Sequence, residues 1–274
     1  MQPTPIHVLV VEDDVVSRDV ACQMLNHFGY RVSAVDGGHA ALAAVRETGC
    51  DMVLMDYRML DMDGLETTRR MRAGEAGPCG LNVPIIALTA QAFVADREAC
   101  LAAGMNDFLS KPVMVDTLMS AIERWSPFEV VPAAMGRPAA MARSDSMAVQ
   151  PSVFDQAVLA ALPMVADGSQ PGYGDIVLEM YLKSVPQTLA TIRQAAASGD
   201  AQTAQHVAHT LKSTSAAVGA LALAACAANA EADLRAGHTN MSHLPSQFDM
   251  EFERLCTMLG RPYQPLPEGA VPAC

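Results

Sequence analysis

The stretch "IHVLVVEDD" (residues 6–14) is an almost continuous apolar run that ends in three acids. A short apolar run of this kind is typical of a strand buried on both faces of a parallel sheet. Four further stretches share the pattern, at 31–35, 51–55, 84–88 and 107–110. Helical patterns lie between them, at 16–28, 38–48, 64–73, 91–103 and 113–124. The alternation predicts a doubly wound α/β domain around a five-stranded parallel sheet.

Composition and charge exclude several classes of protein. The chain of 274 residues has room for two ordinary domains, and its formal net charge of −12 argues against a nucleic-acid surface. Seven scattered cysteines without a CxxC pair are typical of reduced thiols in a cytosol. No secretory signal opens the chain, and the longest apolar run, 216–230, is too short for a membrane span. We predict a cytoplasmic protein with no nucleic-acid partner and no membrane insertion.

The second half of the chain has a different pattern. Residues 126–150 are rich in Pro, Ala and Met without periodicity, which predicts a linker. Helices are expected after it, at 152–162, 173–197, 201–217, 220–235 and 246–259. Asp200 is a candidate N-cap, and Pro186 is expected to kink or divide its helix. The predicted organisation is an α/β domain over 1–125, the linker over 126–150, an all-α four-helix bundle over 151–262 and a tail over 263–274.

Chemically active side chains end several of the predicted strands. They are Glu12, Asp13, Asp56, Thr89 and Lys111. Because the carboxyl ends of parallel strands border one crevice, we expect these groups to converge. Neighbouring carboxylates repel one another unless a cation lies among them, and oxygen ligands suit Mg²⁺. The set is typical of a phosphoryl-transfer site with Asp56 as the nucleophile.

Other titratable residues are given ordinary structural roles. Asp14 lies one residue further round the turn and receives no metal role, Asp61 is interpreted as a loop acid, and Asp63 is expected to cap a helix. The remaining histidines outside the third helix of the bundle are interpreted as loop or surface residues: His7, His27, His39, His238 and His243.

Four segments of the first domain resemble the motifs of bacterial receiver domains, the phosphoacceptor half of two-component signalling. They are "VLVVEDD" (8–14), "MDYRMLDMDG" (55–64), "LTA" (88–90) and "DFLSKP" (107–112). The resemblance covers about residues 1–125 and implies a flavodoxin-like fold. It also implies that Asp56 accepts the phosphoryl group, and that Glu12, Asp13, Asp56 and the backbone carbonyl of Arg58 hold Mg²⁺.

The same resemblance assigns further roles and shows two departures. It implies that Lys111 pairs with the phosphoryl oxygens, that Thr89 and Phe108 form the switch pair, and that the Lys111-Pro112 bond is cis. Phe108 stands where tyrosine is frequent, and core packing is an equal alternative for it. Leu60 stands where proline is usual, so we expect a looser loop after Asp56.

The stretch "AHTLKSTSAAVGA" (208–220) is a helix of small residues around one histidine. On a helical wheel His209 lies roughly opposite Val207, Leu211 and Val218, so we expect it to face solvent. The stretch resembles the active helix of histidine-containing phosphotransfer (HPt) domains, over about residues 152–260. The resemblance implies that His209 carries a phosphoryl group and that Lys212 screens its charge.

Several details around that helix remain open. Ser213 is small enough to let a partner approach and is a further candidate donor to the phosphoryl group. His206 is a minor alternative to His209. Downstream, Asn229 and Ala230 occupy positions where leucine and glutamate are common in the family.

Together the two resemblances predict a phosphorelay protein. It would exchange a phosphoryl group with a sensor histidine kinase, hybrid or not, or with a separate response regulator. Within the chain the group would pass between Asp56 and His209. An alternative is a regulatory module in which phosphorylation masks or frees His209 without internal transfer, and a third is a scaffold with vestigial sites. No nucleotide-binding half is visible in the sequence, so an autonomous ATP-dependent kinase is not expected.

Overall fold

The structure, a computed structural model, describes residues 5–89, 94–126, 152–238, 240–261 and 263. The chain divides into two compact units, Met1–Gln150 and Pro151–Cys274. Most of the predicted linker and of the predicted tail falls outside the described residues. Among the described residues all strands belong to the first unit, and the second unit is helical.

The first unit is built on a five-stranded sheet in the order β2-β1-β3-β4-β5, and every strand pair is parallel. The strands are β1 His7–Val11, β2 Arg31–Val35, β3 Met52–Asp56, β4 Ile85–Thr89 and β5 Asp107–Ser110. β1 and β3 are neighbours in the sheet, with Val10 opposite Leu54. The predicted parallel α/β sheet is therefore confirmed.

Six helices flank the sheet. They are α1 Val15–His27, α2 Gly38–Thr48, α3 Gly64–Arg72, α4 Gly77–Asn82, α5 Val94–Ala103 and α6 Val115–Trp125. The short α4 was not expected from the sequence. Gly74 and Gly77 have left-handed φ values of 93° and 74°, and Pro78 lies in the first turn, so the chain reverses and starts a new turn of helix. The part of the predicted fifth helix before Val94 lies outside the described residues.

The centre of the sheet is the core of the first unit. All residues of β1, β3 and β4 are buried, as expected of strands covered on both faces, whereas β2 at the edge is partly exposed. His7 belongs to β1 and is buried, with Nε2 2.8 Å from the Ser33 hydroxyl. Its interpretation as a loop or surface histidine was wrong, because it occupies a strand position covered by the sheet.

The second unit is a bundle of four long helices preceded by two short ones. The helices are α7 Gln156–Ala160, α8 Pro163–Ala166, α9 Tyr173–Ser198, α10 Ala201–Val218, α11 Leu221–Arg235 and α12 Leu244–Met258. The long helices pack in a ring, α9 against α10, α10 against α11, α11 against α12 and α12 against α9. The predicted all-α bundle is confirmed.

Two prolines bear on the helices of this unit. The predicted helix over 152–162 is shortened to α7, which the Asp155 side chain caps, and Pro163 opens the separate α8 just beyond the predicted range. Pro186 lies inside α9, which nevertheless runs as a single element of 26 residues. Gly199 ends α9 with a left-handed φ of 73°, and the Asp200 carboxylate accepts from the Thr203 amide as the predicted N-cap of α10.

Candidate functional site

The carboxyl edge of the sheet brings three acids together. Glu12 and Asp13 directly follow β1, and Asp56 ends the adjacent β3. Each offers a carboxylate oxygen, and these oxygens all lie within 4.8 Å of one another. Glu12 and Asp56 are each 2% exposed. The predicted convergence of these acids is therefore present in the fold.

Lys111 lies inside this acid cluster. Its Nζ is 2.5 Å from a Glu12 oxygen and 3.0 Å from Asp56 Oδ1. The backbone positions it, because the Lys111 amide donates to the Thr89 carbonyl at 2.7 Å and so joins the ends of β5 and β4. Thr89 is buried at the same edge, and the Lys111-Pro112 bond is cis as predicted.

The cluster holds more negative than positive charge. Burial, and next the charge of Asp56, raise the pKa of Glu12 well above its usual value, while Lys111 opposes that rise. The pKa of Lys111 is itself raised, because the attraction of Asp56 and Glu12 outweighs its burial. With all groups ionised, three carboxylates face one ammonium, which leaves two negative charges. A divalent cation with oxygen ligands fits this donor set.

The loop between β3 and α3 is tied down at several points. The Leu60 amide donates to Asp13 Oδ2 at 3.1 Å, a bond that a proline could not make. The Asp61 carboxylate accepts from the amides of Gly38 at 3.1 Å and His39 at 3.2 Å, at the start of α2. These bonds hold the loop at Leu60 and Asp61, so Asp61 is a loop acid that also anchors the loop, and the expected looseness relative to proline stays a prediction.

Two small features fix the backbone beside the acids. The Arg18 guanidinium donates to the carbonyls of Glu12 at 2.6 Å and Asp13 at 3.2 Å. A Cβ on Gly64 would overlap the Asp56 carbonyl oxygen, so only glycine allows α3 to begin this close to the strand end. Sequence reasoning missed Arg18 as a support of the site.

The neighbouring acids are caps. Asp14 accepts from the Ser17 amide at 2.8 Å and begins α1, and Asp63 accepts from the Glu66 amide at 2.7 Å and begins α3. The cap at Asp63 was expected from the sequence, whereas the cap at Asp14 was not, and the absence of a metal role for Asp14 stays a prediction.

The remaining receiver-like roles stay predictions. Phe108 is half-buried against the core, and the Arg97 guanidinium lies 5.7 Å from its ring centroid. The Arg58 amide lies 3.4 Å from Asp56 Oδ1, while the metal contact expected of the Arg58 carbonyl remains untested.

In the second unit His209 does not face solvent. It is 4% exposed, contrary to the expectation from the helical wheel. The reason is that α10 packs against both α9 and α11, so two sides of the helix are covered where the wheel assumed one. Ser213 is also buried, and its hydroxyl donates to the His209 carbonyl at 3.2 Å.

The His209 ring is held by an acid that sequence reasoning missed. Glu231 on α11 is 1% exposed, and its Oε1 lies 2.9 Å from His209 Nδ1. Lys212 Nζ lies 2.6 Å from Oε2, and an Arg235 nitrogen lies 2.9 Å from Oε1. The signal was within reach, since Glu231 is one position beyond Ala230, where a family glutamate was expected.

Glu231 is ionised despite its burial. Burial would raise its pKa, but hydrogen bonds from His209 and Lys212 lower it from 4.5 to about 2. With Nδ1 engaged by Glu231, the other ring nitrogen, Nε2, is the one that could carry a phosphoryl group. Nε2 is itself buried.

Family models match both units. The response regulator receiver domain model matches residues 8–123, and the Hpt domain model matches residues 176–261. The chain carries a receiver domain and an Hpt domain. Asp56 and Lys111 lie within the receiver match, and His209 and Glu231 lie within the Hpt match.

Individual relatives overlap the chain in part. The sensor protein GacS of Pseudomonas syringae pv. syringae is 38% identical over 119 residues, which are 43% of this chain and 13% of GacS. The transcriptional regulatory protein ZraR of Salmonella typhimurium is 39% identical over 119 residues, 43% of this chain and 26% of ZraR. The receiver–Hpt chain therefore spans only a minor part of the length of these two relatives.

A solved receiver also matches. The receiver domain of a Pseudomonas aeruginosa PAO1 sensor histidine kinase, crystallised with magnesium coordinated in its active site cleft, shares 43% sequence identity. The match covers 44% of this chain and 98% of that chain, with a TM-score of 0.41.

Among the described helices of the receiver and Hpt domains, none has both the length and the apolar character needed to cross a membrane.

Proposed function

We propose that this chain is a phosphorelay signalling protein in which Asp56 accepts a phosphoryl group and His209 carries one. One observation carries the proposal. The same chain holds a buried acid cluster beside Lys111 and a histidine whose Nδ1 is held by Glu231. Sensor histidine kinases and response regulators are the classes of partner that such a pair of domains implies.

At the receiver, Asp56 supplies the nucleophilic oxygen. Glu12, Asp13, Asp56 and the Arg58 carbonyl would hold Mg²⁺, which, when bound, neutralises charge on the transferring phosphoryl oxygens. Lys111 offers its ammonium to the same oxygens, and the buried Thr89 hydroxyl lies at the same strand edge.

At the Hpt domain, His209 acts through Nε2. Its lone pair attacks the phosphorus of the Asp56 acyl phosphate, the N–P bond forms, and the P–O bond to Asp56 breaks. The electron pair of that bond returns to the Asp56 carboxylate, and the ring keeps its proton on Nδ1, where Glu231 stabilises the positive charge. All steps are reversible, so the group can also pass from His209 to an aspartate.

The burial of His209 favours a second candidate function. At 4% exposure the ring cannot meet an incoming phosphoryl group in line unless the surrounding structure changes, and the relay has the same requirement. In this alternative, phosphorylation of Asp56 uncovers His209 for an outside partner, and no transfer occurs between the two sites of the chain.

Labelling with ³²P-acetyl phosphate and Mg²⁺ separates the two functions. Relay predicts label at both sites in the wild type, at Asp56 alone in His209→Gln, and at neither in Asp56→Asn. Alkali removes label from an acyl phosphate and acid removes it from a phosphohistidine, so the sites are told apart chemically. Masking predicts label at Asp56 alone in the wild type, with His209 labelled only by an added kinase and to a degree set by the state of Asp56.

Matched controls lie beside each site. Asp36 is an exposed acid that follows β2 at the same sheet edge, and His206 lies one turn before His209 on α10. Asp36→Asn and His206→Gln should label as the wild type does. Absence of label at both Asp56 and His209, with Mg²⁺ and a competent donor kinase present, would refute the proposed function.

A further inference from the structure

Arg235 and the candidate phosphohistidine, His209, contact the same carboxylate oxygen of Glu231. Arg235 lies at the end of α11, one turn after Glu231, and its nitrogen is 2.9 Å from Glu231 Oε1. The same Oε1 is 2.9 Å from His209 Nδ1. Arg235 and His209 therefore meet at a single oxygen atom of a buried acid.

We propose that Arg235 is a positioning residue for His209, acting through the shared oxygen of Glu231. The inference rests on the proposed function, because it concerns the ring that would carry the phosphoryl group. Arg235 does not take part in bond making; it sets which ring nitrogen holds the proton.

The geometry gives the carboxylate little freedom. Lys212 holds Oε2 at 2.6 Å while Arg235 holds Oε1 at 2.9 Å, so a cation fixes each oxygen of Glu231. A fixed Oε1 is an acceptor for a proton on Nδ1, which leaves the lone pair on Nε2. Without Arg235, Glu231 would be held by a cation at Oε2 only, and its plane could turn away from Nδ1.

The charge count supports the same role. A neutral His209, one carboxylate and two cations carry a net charge of +1 among these four side chains. An incoming phosphoryl group brings two negative charges, and the ring becomes cationic because it keeps its Nδ1 proton. Because Lys212 and Arg235 more than offset the charge of Glu231, this carboxylate adds no net negative charge beside the incoming phosphoryl group.

The alternative is that Arg235 and Glu231 form an ordinary ion pair within one helix. Arg235 is four residues after Glu231, and such pairs stabilise many exposed helices. The Arg254–Glu251 pair on α12 is the matched example, since it joins the same residue types three positions apart and lies on another helix. It allows a role in helix stability to be separated from a role at His209.

The first test is the imidazole tautomer. Full-length protein labelled with ¹⁵N-histidine gives separate nitrogen signals for the two tautomers, and His209→Gln identifies the signals of His209. We expect the Nδ1-protonated form to dominate in the wild type and in Arg254→Gln, to fall in Arg235→Gln, and to return in part in Arg235→Lys.

The second test is the transfer rate. The His209→Gln chain loaded at Asp56 serves as donor, and an Asp56→Asn chain serves as acceptor. Adding Arg235→Gln to the acceptor should lower the maximal rate about tenfold, by analogy with loss of the partner that orients a metal-bound histidine. We expect partial recovery in Arg235→Lys and no change in Arg254→Gln. The acceptor concentration that gives half of the maximal transfer rate should change little.

The inference is overturned if Arg235→Gln changes thermal stability as Arg254→Gln does while its tautomer ratio equals that of the wild type. The tautomer test needs no phosphoryl donor. If His209 is never labelled, the proposed function fails, and the nitrogen signals still decide whether Arg235 positions the ring.

Discussion

Three carboxylates cluster at the Asp56 site, where Lys111 pairs with two of them, whereas one carboxylate lies among two cations at the His209 site. With ionised acids and a neutral imidazole, the first set carries a net charge of −2 and the second +1. A phosphoryl dianion meets repulsion at the first and attraction at the second. The difference in charge gives a physical reason to place the proposed divalent cation at the receiver and not at the Hpt domain.

The two sites are also assembled differently. The receiver site collects residues from the ends of β1, β3 and β5. These ends lie at one edge of the sheet because the strands are parallel, with β1 beside β3 and β4 between β3 and β5. The Hpt site takes His209 and Lys212 from one helix and Glu231 and Arg235 from the next. The first arrangement depends on sheet register, and the second depends on the packing of α10 against α11.

The largest expected effect comes from removing Lys111, the cation that pairs with Glu12 and Asp56. Lys111→Met leaves buried Glu12 and Asp56 without their partner, which should lower the free energy of unfolding of the receiver by about 3–5 kcal/mol. Urea unfolding in EDTA measures it, followed by the fluorescence of Trp125, the single tryptophan of the chain.

The same variant should bind Mg²⁺ more tightly, because the metal no longer competes with an ammonium group. Lys183→Met is the control, since the Lys183 side chain is 80% exposed on α9. Equal stability of the Lys111 and Lys183 variants would show that the acids of the cluster are not ionised together. The net charge of −2 assigned to the cluster would then be wrong.

The second prediction uses pH to test the Hpt cluster. The pKa of Glu231 is lowered to about 2 against an ordinary 4.5, so its ionisation stabilises the fold above pH 4.5 and that stabilisation is lost as the pH falls toward 2. The difference of 4.5 − 2 is equivalent to about 3 kcal/mol. We expect the stability gap between wild type and Glu231→Gln, measured by urea unfolding followed by far-UV circular dichroism, to lose about half its size between pH 6 and pH 3.

The control for acid unfolding elsewhere in the chain is Glu251→Gln. Glu251 is the partner of Arg254 on α12 and lies outside the His209 cluster. The difference in free energy of unfolding between Glu251→Gln and the wild type should change less over the same pH range. Parallel curves for the Glu231 variant and the wild type would show that the carboxylate is not held ionised by its neighbours.

Mg²⁺ should then distinguish the two domains directly. At a concentration 100 times its dissociation constant, a ligand that binds only the folded state stabilises it by about 2.7 kcal/mol. We expect this increase in the free energy of unfolding of the receiver, followed by Trp125 fluorescence, and no change in the unfolding of the Hpt helices. The increase should be lost in Asp13→Asn. A metal-induced shift of both transitions would contradict the assignment of the cation to the acid cluster.

Much of the receiver site could be predicted from the sequence. Glu12, Asp56 and Lys111 come directly after or end apolar strands, and the ends of parallel strands have a known common edge. What could not be predicted was the support. Arg18 reaches two backbone carbonyls, and Asp61 reaches the start of α2, and both contacts depend on how loops fold rather than on a periodic pattern.

The Hpt site was predicted less completely, for a physical reason. A helical wheel treats α10 in isolation and finds one apolar face, but a bundle helix has neighbours on two sides. Small residues such as Ala204, Ala208 and Ser215 are buried on α10, and His209 is buried with them. Glu231 comes from another helix, and its contact with His209 depends on the alignment of α10 and α11, which the sequence pattern does not specify.

The smallest expected effect separates a cap from a metal ligand at the receiver. Asp14 adjoins Asp13 but accepts from the Ser17 amide at the start of α1. Asp14→Ala should lower the free energy of unfolding by about 1 kcal/mol relative to Asp14→Asn, because asparagine keeps the cap and both variants lose the same charge. Urea unfolding in EDTA compares them, and a Mg²⁺ titration of Trp125 fluorescence should give equal affinities. If Asp14 were a ligand, the asparagine variant would keep its stability and still bind Mg²⁺ far more weakly than the wild type, as Asp13→Asn does. The acid cluster would then have four carboxylates, and its contrast with the His209 site would be larger than the three described acids imply.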